Sequence, residues 1–285
     1  MSVFDNTGSR LSAAFAATGG KLDRIYSLDG RVLWGEGVNS FAFAGPQAPW
    51  SGWKFHKVSN VADLAYTSTE EAASDFDDSN WQTVIIPHDW SIYNEFNANS
   101  PATYEGGFLD GGDAWYRCRF TATEEMLSER TLLYFDGVYM EADVYLNGKK
   151  IGENRMGYNP FWLDISDTVV TGENVMAVFV RNRQPSSRWY SGSGIYRPVY
   201  LLTLEGVSKW LSGVYVTAPS LEAQHGGSVT THVEFIVHNT GASTAATVKA
   251  VIYKKGVPAA SVQQEVTLPE GETACTIDVP VVNPA

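Results

Sequence analysis

Residues 182–197, NRQPSSRWYSGSGIYR, bring a forked cation, flat rings and a small backbone together in one short run. Arg188, Trp189 and Tyr190 stand side by side, followed by Gly192, Gly194 and a further ring at Tyr196. A half-buried strand alternates apolar and polar residues, and this run does not. It lies between two strand-like runs, VMAVFV (175–180) and PVYLLTL (198–204), and so reads as a loop. An arginine donates through a planar fork, and an indole or phenol offers an apolar face. Together they make a surface that grips something flat, such as a sugar ring. The same composition also fits a loop tucked onto its own domain by its aromatics, and composition alone leaves both readings open.

Asp89, in PHDW, is the second candidate. It reads either as a ligand carboxylate or as an anchor that accepts hydrogen bonds within the domain. His88 beside it reads as structural, as do Trp115, Tyr116 and Arg117, which alternate as core and edge positions of a strand. Asp164 reads as turn-forming. Asp75, Asp77 and Asp78 form an acidic run, and Asp110 and Asp113 flank glycines. Clustered carboxylates of this kind usually form turns or solvated faces, so no catalytic pair is expected among them. No GxSxG, HExxH, CxxC or phosphate-loop pattern supports another enzyme class, and no metal or cofactor is expected.

The elements that would position these residues are strands. From Trp50 onward, WKFHKV, WQTVIIP, WYRCRFTA, RTLLYFDGV, EADVYLNGKKIGE, NVMAVFVRN and PVYLLTL are separated by turn signals such as Asn147-Gly148. A short helix is expected around 69–76. Residues 89–112 form a long irregular stretch carrying Trp90, Tyr93, Phe96, Tyr104 and Phe108. Loops that long are functional or disordered, and five rings argue against disorder. Beyond a boundary near Glu205–Lys209, Thr, Ala and Val dominate. There THVEFIVH alternates, with Val233, Phe235 and Val237 on one side. The first stretch repeats instead, with rings at Phe4, Phe15 and Tyr26 and leucines at 11, 22 and 33, an 11-residue period. It reads as an appended segment. The organisation expected is an appended segment over 1–45, a first sandwich over 46–207 and a smaller one over 208–285.

The net charge of −12 sets nucleic acid aside as a partner, and no apolar run reaches the length of a membrane span. The first residues show no signal peptide. Cys118 and Cys275 read as two buried free thiols rather than a disulfide framework. The absence of a signal and of paired cysteines leans cytoplasmic.

IIPHDWSI (85–92), FNANSP (96–101), GGFLDGGDAWYR (106–117), FDGV (135–138), VYLNGKKIG (144–152), YNPFWLDIS (158–166) and SRWYSGSGIYRPVYL (187–201) together resemble glycoside hydrolase family 2, with the greatest likeness to its bacterial β-galactosidases. The resemblance covers roughly residues 50–285. It implies an all-β chain: a jelly-roll sugar-binding domain of the galactose-binding-like kind, then an immunoglobulin-like sandwich that the chain leaves unfinished. It further implies a (β/α)8 barrel of the same polypeptide, absent from this chain, as the partner that carries both catalytic glutamates. This portion would then be inactive alone. The implied substrate is a terminal β-galactoside, hydrolysed with retention. Family members are often dimers or tetramers, so a homo-oligomer is implied as well. A loop of the family's jelly-roll shapes the sugar subsite, and the segment matching it assigns substrate binding to Asn182, Ser187, Arg188, Trp189 and Tyr190, with Asp89 beside them. In some members an acidic residue contacts the sugar from this loop, and here Arg188 stands at that place. The competing reading is a stand-alone carbohydrate-binding or adhesion module.

Overall fold

A computed structural model describes residues 50–63, 65–66, 68–127, 130–186, 192–204, 207–221, 227–254 and 257–282, with four short strands before residue 35. For the strand residues up to 51, and over 202–213, the backbone alone is described. The chain divides into two compact units, 24–203 and 204–285 with 1–23. The rings and leucines of the 11-residue repeat, like Ser187, Arg188, Trp189 and Tyr190, lie outside the described side chains. No helix among the described residues is long and apolar enough to cross a membrane.

The first strands are β1 (Ser2–Phe4), β2 (Arg10–Ser12), β3 (Leu22–Tyr26), β4 (Val32–Trp34), β5 (Trp50–Ser59), β6 (Gln82–Ile86) and β7 (Gly112–Ala122). Then come β8 (Arg130–Phe135), β9 (Glu141–Leu146), β10 (Lys149–Asn154), β11 (Phe161–Asp164), β12 (Gly172–Asn182) and β13 (Val199–Leu204). The later strands are β14 (Val207–Thr217), β15 (Ser228–Asn239), β16 (Thr244–Lys254), β17 (Val257–Leu268) and β18 (Gly271–Val282). The protein is all-β, as expected.

In the unit 24–203 a six-stranded sheet, β10-β9-β12-β7-β5-β6, faces a five-stranded one, β11-β8-β13-β3-β4. The core between them takes Phe55, Tyr116, Val144 and Val178 from the first sheet and Leu133, Phe135, Val199 and Leu201 from the second. Side chains alternate across a strand, so Trp115 and Arg117 of β7 point to the other face. The middle of that face is buried as well. Ala72, Trp81, Trp115, Ala177 and Phe179 form a second buried cluster there, joined by Tyr66 and Phe76. The segment 61–81 thus covers the sheet, and among its described residues Glu70–Ala72 wind into a helical turn, of the tight 3₁₀ kind.

Two turns show how the sequence sets the path. Asn147 and Gly148 both adopt positive φ, 52° and 81°, the conformation a tight hairpin requires. They join β9 to β10, with Leu146 opposite Lys149. Asp164 receives the backbone N–H of Ser166 at 3.1 Å and an ion pair from Arg130 at 2.6 Å, and so ends β11.

The unit containing 204–285 pairs β14-β15-β18 as one sheet and β16-β17 as another. Val233, Phe235 and Val237 are buried with Val248, Leu268, Ile277 and Val279, following the alternation of THVEFIVH. Cys118 and Cys275 are both buried and unbridged.

Candidate functional site

The site is assembled where two stretches meet: 88–111, which follows β6, and 182–195, which follows β12. Asn182 is the last residue of β12, opposite Gly112 at the start of β7. The sheet therefore delivers both stretches to one edge.

Backbone pairing joins them first. The His88 N–H reaches the Ile195 carbonyl at 2.8 Å, and the Trp90 N–H reaches the Ser193 carbonyl at 3.0 Å. Gly194 then exchanges two 2.9 Å bonds with Tyr139. Gly194 has φ +112°, and a Cβ there would sit on the Tyr116 hydroxyl and 2.7 Å from the His88 carbonyl. Only glycine fits that approach.

Asp89 supplies the next link. Its Oδ1 accepts the N–H of Ser91 at 3.0 Å and the N–H of Ser193 at 2.8 Å. One carboxylate oxygen therefore holds both stretches. A Cβ at Gly192 would collide with the other oxygen, Oδ2.

Beside it runs a hydrogen-bond chain whose direction is forced. Ser91 Oγ lies 2.9 Å from the Asp110 carbonyl, which can only accept, so the single Ser91 hydroxyl proton goes there. The 2.6 Å contact between Ser91 Oγ and Ser193 Oγ must then be donated by Ser193. Ser193 Oγ in turn accepts from the Asn182 amide at 2.7 Å. The order is Asn182 to Ser193 to Ser91 to the Asp110 carbonyl, and each hydroxyl both gives and receives. Asn182 and Ser193 are fully buried. The Asn182 Oδ1 finds no partner among the described residues, nor does the Asp110 Oδ1. Gln184 closes the other side: its carbonyl oxygen accepts from the Gly111 N–H at 2.7 Å, and its amide donates to the Leu109 carbonyl at 3.0 Å.

Under this lies an aromatic floor. His88 is buried, its ring edge-on to Phe55 at 4.7 Å, with Nδ1 2.8 Å from the Tyr116 hydroxyl. Burial pushes the His88 pKa down to about 4, against the opposing pull of the Asp89 charge. Burial likewise pushes the Tyr116 hydroxyl well above its usual value. The pair is therefore neutral at neutral pH, and the His88 tautomer sets which of the two donates. Trp90 donates from its indole to the Gly111 carbonyl at 2.8 Å.

Of the residues singled out from sequence, Asp89 and Asn182 come together through Ser193. Ser187, Arg188, Trp189 and Tyr190 lie between the two anchored ends, outside the described residues. Asp89 takes the hydrogen bonds of an anchor, and Asn182 spends its amide on Ser193. Sequence reasoning did not single out Ser91 or Gln184. Their partners lie 102 and 73 residues away, and no local signal marks such distances. Among the described residues no group of three His, Cys, Asp or Glu side chains is placed to hold a metal. Two acidic residues read as turn carboxylates are buried: Asp78 pairs with Arg117 at 2.7 Å and Arg119 at 2.8 Å, and Asp113 pairs with Arg181 at 3.3 Å.

Comparison with known proteins gives a consistent picture. The family model described as glycosyl hydrolases family 2, sugar binding domain, matches residues 52–205. A putative β-glucuronidase of Formosa agariphila is 38% identical over 160 residues, which is 56% of this chain and 16% of that protein. A β-galactosidase of Bacteroides ovatus is 37% identical over 172 residues, 60% of this chain and 19% of that protein. A crystal structure of a family 2 member from Bacteroides cellulosilyticus superposes with a TM-score of 0.65 at 31% identity, over 82% of this chain and 30% of the solved one. The chain thus spans less than a fifth of the length of these two relatives.

Proposed function

This chain belongs to glycoside hydrolase family 2, and from that premise we propose that it forms the non-catalytic, sugar-recognising N-terminal portion of a retaining β-galactosidase. The observation that carries the reading is that the family match over 52–205 runs through both stretches of the site, and these are fastened together at either end of residues 187–190.

In this reading Arg188 donates its fork to sugar hydroxyls, and Trp189 or Tyr190 lies against the C–H face of the pyranose. Ser187 adds a hydroxyl. Asp89 and Asn182 act through Ser193, holding the ends of the segment so that the binding groups are ordered before substrate arrives. The acid/base and the nucleophile, a carboxyl pair roughly 5 Å apart in a retaining enzyme, come from the (β/α)8 barrel of the same polypeptide. The three-part organisation, with 1–45 appended to sandwiches over 46–207 and 208–285, belongs to this proposal.

A β-glucuronidase is the second reading. It is favoured by the name of the relative from Formosa agariphila, 38% identical, against 37% for the β-galactosidase of Bacteroides ovatus.

The test is hydrolysis of chromogenic β-galactoside and β-glucuronide by the 285-residue chain and by the polypeptide of the complete gene. Galactoside cleavage by the complete polypeptide alone is the expected result, with Arg188→Ala and Trp189→Ala each raising KM. Cleavage by the 285-residue chain would mean a catalytic pair within it and would sink the proposal. Inactivity of both on either glycoside would favour a stand-alone carbohydrate-binding module.

A further inference from the structure

Residues 187–190 are entered past Gln184 and left past Ser193, and both of these take their position from one short stretch, 109–111. The pairing of β12 with β7 ends at Asn182 opposite Gly112. Three residues later Pro185 has no N–H with which to continue a ladder. The side chain of Gln184 continues it instead. Its oxygen accepts the Gly111 N–H at 2.7 Å, and its amide donates to the Leu109 carbonyl at 3.0 Å. The two bonds fall on either side of Asp110, in the slanted pattern of a parallel ladder. A side-chain amide thus stands in for a backbone peptide. Its orientation is forced, because an N–H only donates and a carbonyl only accepts.

The exit end refers to the same stretch. The chain from Asn182 through Ser193 and Ser91 ends on the Asp110 carbonyl, which also accepts the Asn94 amide at 3.0 Å. Residues 109–111 lead directly into β7, an interior strand, so both ends are set against the middle of the sheet. Side chains alternate along an extended chain. Asn182 and Gln184 face 109–111, whereas Arg181 and Arg183 turn the other way, to Asp113 at 3.3 Å and Glu141 at 2.8 Å. Between Gln184 and Ser187 stand only Pro185, whose φ is fixed, and Ser186. A shift of Gln184 therefore passes into 187–190 with little slack to absorb it. Other polar side chains cannot replace the amide: asparagine is a methylene short, glutamate cannot donate, and lysine or arginine cannot accept.

We infer that Gln184 is a positioning residue: its amide sets the entry end of residues 187–190, as Ser193 sets the exit end, so that the segment is ordered before a ligand arrives. What the ordered segment binds rests on the proposed function. The ordering does not, and it is tested without turnover. Amide hydrogen exchange is followed by mass spectrometry in the polypeptide of the complete gene, over 187–190 and, as controls, over β8 and β15. Gln184→Met keeps the length of the side chain and removes both hydrogen bonds. Exchange over 187–190 should quicken at least about tenfold, as the loss of two hydrogen bonds implies, with β8 and β15 unchanged. Gln184→Glu keeps the acceptor and loses the donor. Its exchange, taken relative to the parent at each pH, should be faster at neutral pH and return toward the parent as acid protonates the carboxyl, whose O–H then donates. An unchanged rate over 187–190 in Gln184→Met overturns the inference. An equal rise in β8 and β15 overturns it too, because that marks a general loss of stability. Should Gln184→Met not fold, Gln184→Glu decides: a rate equal to the parent's at neutral pH, or no return in acid, overturns it. On whichever glycoside the complete polypeptide cleaves, Gln184→Met should raise KM about tenfold with kcat little changed, and a KM equal to the parent's counts against the inference. If neither glycoside is cleaved, the proposed function fails while hydrogen exchange still decides the role of Gln184.

Discussion

Two polar clusters are buried at the six-stranded sheet, and they are built on opposite principles. On its outer face Arg117, fully buried, is bound by Asp78 and by the carbonyls of Glu71 and Ala73. At the exit of β12 the groups are a carboxylate taking backbone N–H bonds and a chain of hydroxyls and one amide. The first cluster fastens a covering segment that turns its rings inward, Phe76 and Trp81 packing with Trp115. The second fastens a segment that turns Trp90 inward and leaves Tyr93, Phe96 and Tyr104 exposed. Paired side-chain charges fasten the segment that covers one face of the sheet, whereas a carboxylate on backbone N–H groups and a chain of hydroxyls fasten the two stretches at the exit of β12.

The comparison breaks most sharply at Asp78. Burial alone would raise its carboxyl, but hydrogen bonds and charge from Arg117 and Arg119 outweigh burial and hold it below the usual range. Asp78→Ala leaves a guanidinium buried without its counter-charge, a class of change that costs about 3–5 kcal/mol. Urea unfolding followed by tryptophan fluorescence should show the loss. A change below about 1 kcal/mol would mean that water reaches Arg117, and that the two clusters do not differ in kind.

Much of this fold was readable in the sequence, and the parts that were not share a cause. THVEFIVH alternates because one face of β15 is buried and the other is not. WYRCRF conceals its sheet position because β7 is interior and covered on both faces, so none of Trp115, Tyr116 and Arg117 is an edge residue. The acidic run of Asp75, Asp77 and Asp78 pointed to a turn or a solvated face, yet Asp78 is a core ion whose partner lies 39 residues away. At the site, Asp89 and Asn182 could be named from the motifs around them. Ser91 and Gln184 could not, because an ordinary serine or glutamine becomes an anchor only when the fold brings it a distant partner.

Acidification should separate the clusters in order. His88 is held near a pKa of about 4 in the folded protein, against about 6.5 unfolded. Above pH 6.5 both states carry a neutral imidazole and nothing is lost. Below it the unfolded chain takes up a proton that the folded chain refuses, so stability falls as pH drops from 6.5 to 4. The loss is on the order of 3 kcal/mol. The Asp78 carboxylate behaves otherwise: its contribution is intact above the unfolded value of about 3.9 and fades only as pH falls through its lower folded value. The site should therefore weaken first. His88→Gln, whose amide can still hydrogen-bond Tyr116 in either direction, should flatten the stability profile between pH 6.5 and 4 without altering the loss below pH 4. A parent profile already flat over that interval would show that His88 titrates normally.

Ser193 offers the smallest and most discriminating change. Ser193→Ala removes one oxygen but keeps the backbone N–H that Asp89 holds, so the two stretches stay joined. What is lost is the middle of the hydroxyl chain: the Asn182 amide keeps only the 3.4 Å bond to the Gly192 carbonyl and Ser91 loses its donor, in a place closed to water. Leaving a buried polar group unsatisfied costs about 1–3 kcal/mol, and two neighbours that can shift toward one another put the expectation at about 1–2 kcal/mol. Ser193→Thr retains the hydroxyl but adds a methyl where Ser193 is fully buried, so overpacking clouds that comparison. Ser193→Cys adds no carbon branch, and its weak S–H and sulfur recover part of the chain. Stability should therefore follow the order serine, cysteine, alanine in chemical unfolding. If the chain orders residues 187–190 for sugar, KM of the complete polypeptide should rise in the same order with kcat little changed. A site that merely supports the fold would lose stability in that order while KM stayed constant, and the hydroxyl chain would then be a second structural fastening rather than the foot of a binding surface.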